Sequence, residues 1–174
     1  MPITPDTKNW TWVLERPCPD CGFDAATVAP DDIGQLIRDN AVAWQPVLAR
    51  ARVARRPNDD MWSPLEYGCH VRDVYRICGV RLDLMLTQDD PTFPNWDQDA
   101  TAEADGYRAQ NAARVGVELL AAAALVADRF DAVGGEQWSR TGLRSDGARF
   151  TVESFGRYVV HDPVHHLYDV GVKA

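Results

Sequence analysis

Apolar residues recur at three- and four-residue steps along four stretches of this chain, and this spacing constrains the fold more than any other feature. Each stretch predicts an amphipathic helix that must bury its apolar stripe against a neighbouring element. The stretches begin near residues 30, 63, 100 and 151, with the third helix expected over 100–133. No strand of useful length is apparent. The sequence therefore predicts an all-α four-helix bundle, a single domain over 30–174, preceded by an irregular N-terminal arm over 1–29.

Two of the helices have clear start signals. Ser63-Pro64-Leu65-Glu66 has the spacing of a capping box, with proline at the first helical position, where its missing N–H costs little. Thr151 is placed to cap the last helix, and Phe150 and Phe155 are spaced as a hydrophobic staple across its start. These signals fix the starts of the second and fourth helices.

The charge balance and the hydropathy exclude several classes of partner. The 174 residues include 18 Lys and Arg against 26 Asp and Glu, and a net charge of −8 repels phosphate backbones, so we expect no nucleic acid partner. The longest apolar run, 119–127, is far short of the ~20 residues that span a bilayer. The N-terminal residues 1–6 lack a basic start and an apolar core, and do not resemble a signal peptide. We therefore expect a cytoplasmic protein with no membrane partner.

The histidines are the chemically most informative residues. His70 falls on the apolar stripe of the second helix, while His161 and His165 are four residues apart and stack on one face of the fourth. Three imidazoles that converge inside a bundle can form an open metal site, although hydrogen-bonded core histidines are the alternative. His166 lies ~100° around the helix from His165 and is interpreted as a packing or supporting residue. Pro163, inside the helix, predicts a kink or a restart there.

Three motifs in this order resemble the DinB superfamily of metal-binding four-helix bundles, over roughly 30–172. Trp62-Ser63-Pro64-Leu65-Glu66-Tyr67-Gly68-Cys69-His70 resembles the start of its second helix. His161-Asp162-Pro163-Val164-His165-His166-Leu167 resembles its last-helix motif. Pro94-Asn95-Trp96-Asp97-Gln98-Asp99-Ala100-Thr101 is similar to a loop of the branch related to mycothiol-dependent maleylpyruvate isomerase.

The resemblance implies a divalent metal, zinc or nickel, held by His70, His161 and His165. It also implies an enzyme that uses a low-molecular-weight thiol such as mycothiol, with a small thiol and an electrophile as its partners. Pro163 and the segment Cys18-Pro19-Asp20-Cys21-Gly22 depart from the commonest pattern of the family.

A three-histidine site leaves the charge of its metal uncompensated and favours hydroxide or thiolate as a further ligand. Such a metal activates water for hydrolysis or a thiol for conjugation, and the ligand set does not choose between them. The sequence therefore leaves two alternative functions from different classes. One is a metal-dependent transferase, isomerase or hydrolase-like enzyme, and the other is a non-catalytic metal- or ligand-binding stress protein. The substrate, the metal and the formation of a homodimer are left open.

Five further residues are candidates for roles around the metal. Asp73 and Asp169 follow the helix-two and helix-four histidines by three and four residues, so each either orients an imidazole or is solvated on the surface. Tyr158 is one turn before His161 and is expected to border the metal cavity. Trp96 and Asp97 belong to the loop expected over the mouth of that cavity, where Trp96 alternatively seals the core.

Cys18 and Cys21 form a CxxC motif followed by glycine, the turn of zinc knuckles. A closed zinc site needs four ligands, and the arm supplies two. A second zinc site, a reversible disulfide and a turn of reduced thiols are the three interpretations, and the sequence favours the last.

Overall fold

The computed structural model describes residues 9–172, and five α-helices lie within that range. Four of them are long and form the bundle, and the fifth, α3, is a short helix between α2 and α4. Both α1 and α2 pack against α4 and α5. The helices are α1 (Ile33–Leu48), α2 (Pro64–Thr87), α3 (Gln98–Ala104), α4 (Ala112–Asp131) and α5 (Val152–Asp169).

Local capping explains where α2 and α5 begin. The Ser63 hydroxyl accepts a hydrogen bond from the Glu66 amide, and the Glu66 carboxylate accepts one from the Ser63 amide. Thr151 accepts from the Ser154 amide in the same way. The Phe150 and Phe155 rings are 5.6 Å apart, so the staple is present. Both predicted starts are confirmed.

The apolar stripes of the four long helices meet in one core. Burial of these side chains supplies the main driving force, at roughly 25 cal/mol per Å² of apolar surface. The largest of the fully buried side chains on the bundle helices are Trp44, Tyr75, Phe130, Phe155, Ile33 and Ile37.

The prediction of one helix over 100–133 is wrong. The chain leaves α3 at Asp105, and Gly106 adopts φ +57°, a left-handed conformation that glycine tolerates and that breaks the helix. A single turn of 3-10 helix over Tyr107–Ala109 follows, and Asn111 caps α4 by accepting from the Arg114 amide.

The segment 136–150 contains strands that the sequence did not predict. Strands β2 (Thr141–Arg144) and β3 (Arg149–Thr151) form an antiparallel hairpin in which Gly142 pairs with Phe150. Strand β1 (Thr92–Phe93) pairs in parallel with β2, Thr92 opposite Leu143. These strands of two to four residues are too short to show an alternating pattern.

The N-terminal arm lies along α5. Among its described residues it contains 3-10 turns over Trp10–Leu14 and Ala25–Thr27, both of which contact α5. Residues 1–8, including the segment inspected for a signal peptide, lie outside the described part of the chain. α5 continues through Pro163 without a restart. The arm therefore meets the helix that carries most of the histidines.

Candidate metal centres

A histidine on α2 and two residues on α5 form a first candidate metal-binding group. His70, Asp162 and His166 have ligand atoms within 4.8 Å of one another. Oδ1 of Asp162 is 3.3 Å from Nε2 of His70 and 3.7 Å from Nε2 of His166. Asp162 and His166 are four residues apart, so they project from the same face of α5. We call these three residues the cavity cluster.

The polar atoms of the cavity cluster fit a divalent metal. Both ring nitrogens of His70 and Oδ1 of Asp162 are buried without a hydrogen-bond partner within residues 9–172, since the 3.3 Å approach of His70 and Asp162 is not aligned as donor and acceptor. An unsatisfied buried polar group costs about 1–3 kcal/mol. Metal–ligand bonds of about 2.0–2.2 Å at tetrahedral angles place nitrogen and oxygen ligands about 3.4 Å apart. The observed separations of 3.3 and 3.7 Å lie close to that value.

Asp169 holds the ring of His166 from the side opposite the cluster. Nδ1 of His166 lies 2.8 Å from Oδ2 of Asp169, while its Nε2 is on the side of Asp162, at 3.7 Å from Oδ1. A carboxylate at this position fixes the tautomer and the orientation of a metal-binding imidazole. The sequence had paired Asp169 with His165, whose Nε2 is 3.8 Å from Oδ1 of the same carboxylate. Asp169 therefore lies beside both histidines and makes its short contact with His166.

Aromatic rings cover the His70 side of the cluster. Trp96 stacks on the imidazole with the ring centroids 5.2 Å apart and the planes at 5°, and Trp62 lies 5.4 Å away. His70 is 1% exposed, whereas the side chains of Asp162 and His166 are 29% and 17% exposed. The cluster is thus closed on the α2 side and open on the α5 side.

Burial and neighbouring groups determine the protonation states of the histidines and of Asp162. Burial lowers the pKa of His70, His161 and His165, that of His161 to about 4, so the imidazoles are neutral at neutral pH, as metal ligation requires. Burial opposes ionisation of Asp162, but the nearby imidazoles of His70 and His166 outweigh it and hold the pKa of that carboxyl below its usual range.

The arm and α5 form a second candidate group. Cys18, Cys21, His161 and His165 have ligand atoms within 4.8 Å of one another, and Sγ of Cys18 is 3.5 Å from Nδ1 of His165. Both thiols are free, with no disulfide between them. We call these four residues the arm cluster.

The structure does not bring His70, His161 and His165 together as one ligand set. On α5 two pairs with i,i+4 spacing interleave, and each residue is turned ~100° from the next. The pair Asp162 and His166 faces His70, while the pair His161 and His165 faces the arm. His166, interpreted from the sequence as a packing or supporting residue, therefore belongs to a candidate metal-binding group.

Two adjoining cavities border the cavity cluster. One, of about 520 Å³, is lined by His70 and Asp162 together with Tyr158, Trp96 and Asp97. The other, of about 340 Å³, is lined by Asp162 and His166 and shares Tyr158 with the first. Asp162 thus stands where the two cavities meet. The predicted pocket residues Tyr158, Trp96 and Asp97 all lie in this wall.

Two arginines that sequence reasoning missed also line the larger cavity. Nη1 of Arg144 donates to the Tyr158 hydroxyl at 3.2 Å, and its Nε and Nη2 meet Asp146. Arg81 is buried and donates to the Pro94 carbonyl at 2.8 Å, and it has no carboxylate partner in the described chain. In the sequence, Arg81 stands out because it falls on the apolar stripe of α2. Arg144 lies on β2, a strand that the sequence did not predict.

Asp73 does not orient His70. Its carboxylate accepts hydrogen bonds from Arg72, Arg76 and the Tyr107 hydroxyl, the last at 2.6 Å. Asp97 caps α3 by accepting from the Ala100 amide. Neither alternative from the sequence describes Asp73: it does not orient His70, and it is buried rather than solvated on the surface. It anchors α2 to the segment before α4.

Comparison with known proteins places the bundle in a family. The model of the DinB superfamily matches residues 35–170, most of the chain. The chain belongs to the DinB superfamily. Cys18 and Cys21 lie outside the matched region of this DinB protein. A search of curated proteins finds no match.

A solved structure shares the DinB fold of this chain. It is YfiT from Bacillus subtilis, described as "a probable metal-dependent hydrolase with an unusual four-helix bundle topology". The match has a TM-score of 0.72 at 17% identity and covers 82% of this chain and 86% of YfiT. The predicted four-helix bundle is confirmed. Within residues 9–172, no helix combines the length and the apolar character needed to cross a bilayer.

Proposed function

We propose that this DinB protein is a metal-dependent enzyme in which His70, Asp162 and His166 hold a divalent metal, zinc or nickel. The proposed reaction is transfer or isomerisation through a low-molecular-weight thiol such as mycothiol. The observation that carries the proposal is a three-ligand group that opens onto a cavity of about 520 Å³. Three protein ligands with an accessible remaining position are typical of catalytic sites, whereas closed four-ligand sites are structural.

The residues of the cavity cluster have the charge and the orientation that such a metal site needs. A divalent metal bound there supplies the Lewis acidity that lowers the pKa of a thiol or of water. Asp162 offsets part of the cation's charge, and Asp169 holds the His166 ring. The neutral imidazole of His70 is fixed between Trp62 and Trp96. This rigid cover keeps Nε2 of His70 beside Asp162.

The cavity wall favours an anionic substrate. Arg81 presents a buried positive charge that no described carboxylate neutralises, next to the Arg144–Asp146 pair. Burial raises the pKa of Tyr158, although Arg144 opposes the shift, so the phenol stays protonated and can donate to a bound group. An electrophile or thiol with a carboxylate near its reacting atom would meet both residues.

The aromatic cover of His70 supports the alternative function, a non-catalytic metal- or ligand-binding protein. Trp62 and Trp96 restrict access to the cluster from the α2 side. An assay of enzymatic turnover distinguishes the two functions.

Metal content would first be measured by elemental analysis. The zinc- and nickel-loaded protein would then be assayed for consumption of mycothiol and related thiols with a generic electrophile, with His166→Ala as the inactive control.

Thiol consumption that depends on His166 supports the proposal. If the protein instead hydrolyses members of an ester or amide panel without thiol, the proposed reaction would be hydrolysis and not thiol transfer. Hydrolysis is the activity in the description of YfiT. Stoichiometric metal with no turnover of either kind would favour the non-catalytic function.

Arg81→Met is expected to raise the KM for carboxylate-bearing substrates about 10- to 100-fold, since a charge-assisted hydrogen bond contributes about 1.5–3 kcal/mol. Steady-state kinetics check this, and metal content should not change. Arg149→Met is the matched control, because Arg149 is exposed and pairs with Asp90. Equal KM values for wild type and Arg81→Met would contradict the role of Arg81.

Trp96→Phe is expected to remove most of the change in tryptophan fluorescence that accompanies thiol binding, because Trp96 lines the cavity beside His70. Titration of the metal-loaded protein with the thiol measures it. Trp138→Phe is the control, because Trp138 stacks on Phe130 instead. Identical responses of wild type and Trp96→Phe would show that Trp96 only seals the core.

A further inference from the structure

The arm cluster brings together two parts of the chain that are far apart in sequence. Cys18 and Cys21 come from the arm, outside the region that the family model matches, and His161 and His165 come from α5. Cys18 and His165 are 147 residues apart, yet their Sγ and Nδ1 atoms are separated by 3.5 Å. We propose that the arm cluster is a closed structural zinc site, separate from the cavity cluster and independent of the proposed function.

The observed separations fit tetrahedral zinc. Zinc–sulfur bonds of about 2.3 Å and zinc–nitrogen bonds of about 2.0–2.1 Å at tetrahedral angles place sulfur and nitrogen about 3.5 Å apart. The Cys18–His165 pair already has this separation. All four ligand atoms lie within 4.8 Å of one another. The edges of a tetrahedral site are about 3.3–3.8 Å long, so the remaining separations need to contract by at most about 1.5 Å.

The backbone of the arm orients the thiols of Cys18 and Cys21. The Gly22 amide donates to the Cys18 carbonyl at 2.9 Å, and the Cys18 amide donates to the Phe23 carbonyl at 2.8 Å. Gly22 adopts φ +76°, which a residue with a side chain rarely tolerates. This tight turn presents both sulfur atoms to the same side, toward α5.

His161 and His165 each have a ring nitrogen that can bind the zinc. Nε2 of His161 is buried and has no hydrogen-bond partner within residues 9–172, and His161 is 3% exposed. Nε2 of His165 faces Asp169 at 3.8 Å, so its Nδ1 is the atom on the side of Cys18. A Cys18–Cys21 disulfide would leave Nε2 of His161 unsatisfied, whereas zinc satisfies it. Two thiolates also balance the charge of Zn²⁺ without a carboxylate.

Aromatic rings enclose the arm cluster. The Trp10 ring is 4.8 Å from that of His165 and the Phe23 ring is 5.4 Å from that of His161, measured between centroids. Four protein ligands leave no position for a substrate, which is the pattern of a structural site. The zinc would fasten the arm to α5 and thereby fix Trp10, which also lines both cavities. It would therefore support one wall of the proposed active site.

Cobalt substitution of the wild-type protein tests the proposal without any variant. A Co²⁺ ion held by two thiolates gives an intense sulfur-to-cobalt charge-transfer band in the near ultraviolet, whereas the cavity cluster contains no sulfur. We expect this band in the wild type and its loss in Cys18→Ala/Cys21→Ala, together with the loss of one zinc equivalent per chain by elemental analysis. His166→Ala should keep the band, which separates this site from the cavity cluster.

Cys69→Ala/Cys78→Ala is the matched control, because both of these cysteines are buried and lie outside either cluster. It should retain the band and the zinc. Absence of the band in the cobalt-loaded wild type would overturn the proposal, as would full zinc content in Cys18→Ala/Cys21→Ala. A Cys18–Cys21 disulfide in protein purified without reductant, found by mass spectrometry, would overturn it as well.

Discussion

Replacing His166 by alanine is expected to remove the metal from the cavity cluster, with the affinity falling by about 100-fold or more. Loss of an outer partner of a ligand already costs about 10- to 100-fold in metal affinity, and loss of a ligand itself costs more. The cluster would retain only His70 and Asp162. Equilibrium dialysis against zinc and nickel measures the change, and circular dichroism should show unchanged helical content because the apolar core does not involve the ion.

His161→Ala is the matched control, because His161 is also a buried histidine on α5 but belongs to the arm cluster. Its cavity metal should bind with wild-type affinity, because His161 is not a member of the cavity cluster. The contrary result, loss of the cavity metal in His161→Ala and its retention in His166→Ala, would restore the ligand set of His70, His161 and His165.

Replacing Asp73 by alanine is expected to lower the free energy of unfolding by about 3 kcal/mol. Breaking a buried ion pair costs about 3–5 kcal/mol because one charge stays buried and unpaired. Arg72 keeps Glu118 as a partner at 3.0 Å, which places the loss at the lower end, while Tyr107 loses its acceptor. Urea denaturation monitored by circular dichroism measures the loss.

The stabilisation that Asp73 provides should decrease as the pH falls. Burial opposes the ionisation of Asp73, but hydrogen bonds from Arg72 and Tyr107 outweigh it and lower the pKa of the carboxyl below its ordinary value. The stabilisation is therefore present at neutral pH and is lost as the pH falls through that lowered pKa. The difference in stability between wild type and Asp73→Ala should narrow in strong acid.

Asp83→Ala is the control for this prediction, because Asp83 lies on the same helix in an exposed pair with Arg129. An exposed pair contributes about 0–1 kcal/mol. Metal content should not change in either variant. A loss for Asp73→Ala no greater than that for Asp83→Ala would refute the anchoring role, and loss of metal would restore Asp73 as a partner of His70.

Local signals account for what the sequence predicted well. The capping residues Ser63 and Thr151 act within three residues of themselves, and the apolar stripes follow from helical periodicity, so the long helices were predictable. The break at Gly106 and the hairpin over 141–151 were missed. A glycine within a helical pattern carries little information by itself, and the pairing of β1 with β2 joins residues about fifty positions apart.

The sequence by itself determined that this chain forms a bundle and that its last helix carries potential metal ligands at i,i+4 spacing. It could not determine which of two interleaved pairs faces α2. Only the rotation of α5 within the packed bundle, where each residue turns ~100° from the last, places Asp162 and His166 opposite His70. The same rotation turns His161 and His165 toward Cys18 and Cys21, because the arm folds back along α5.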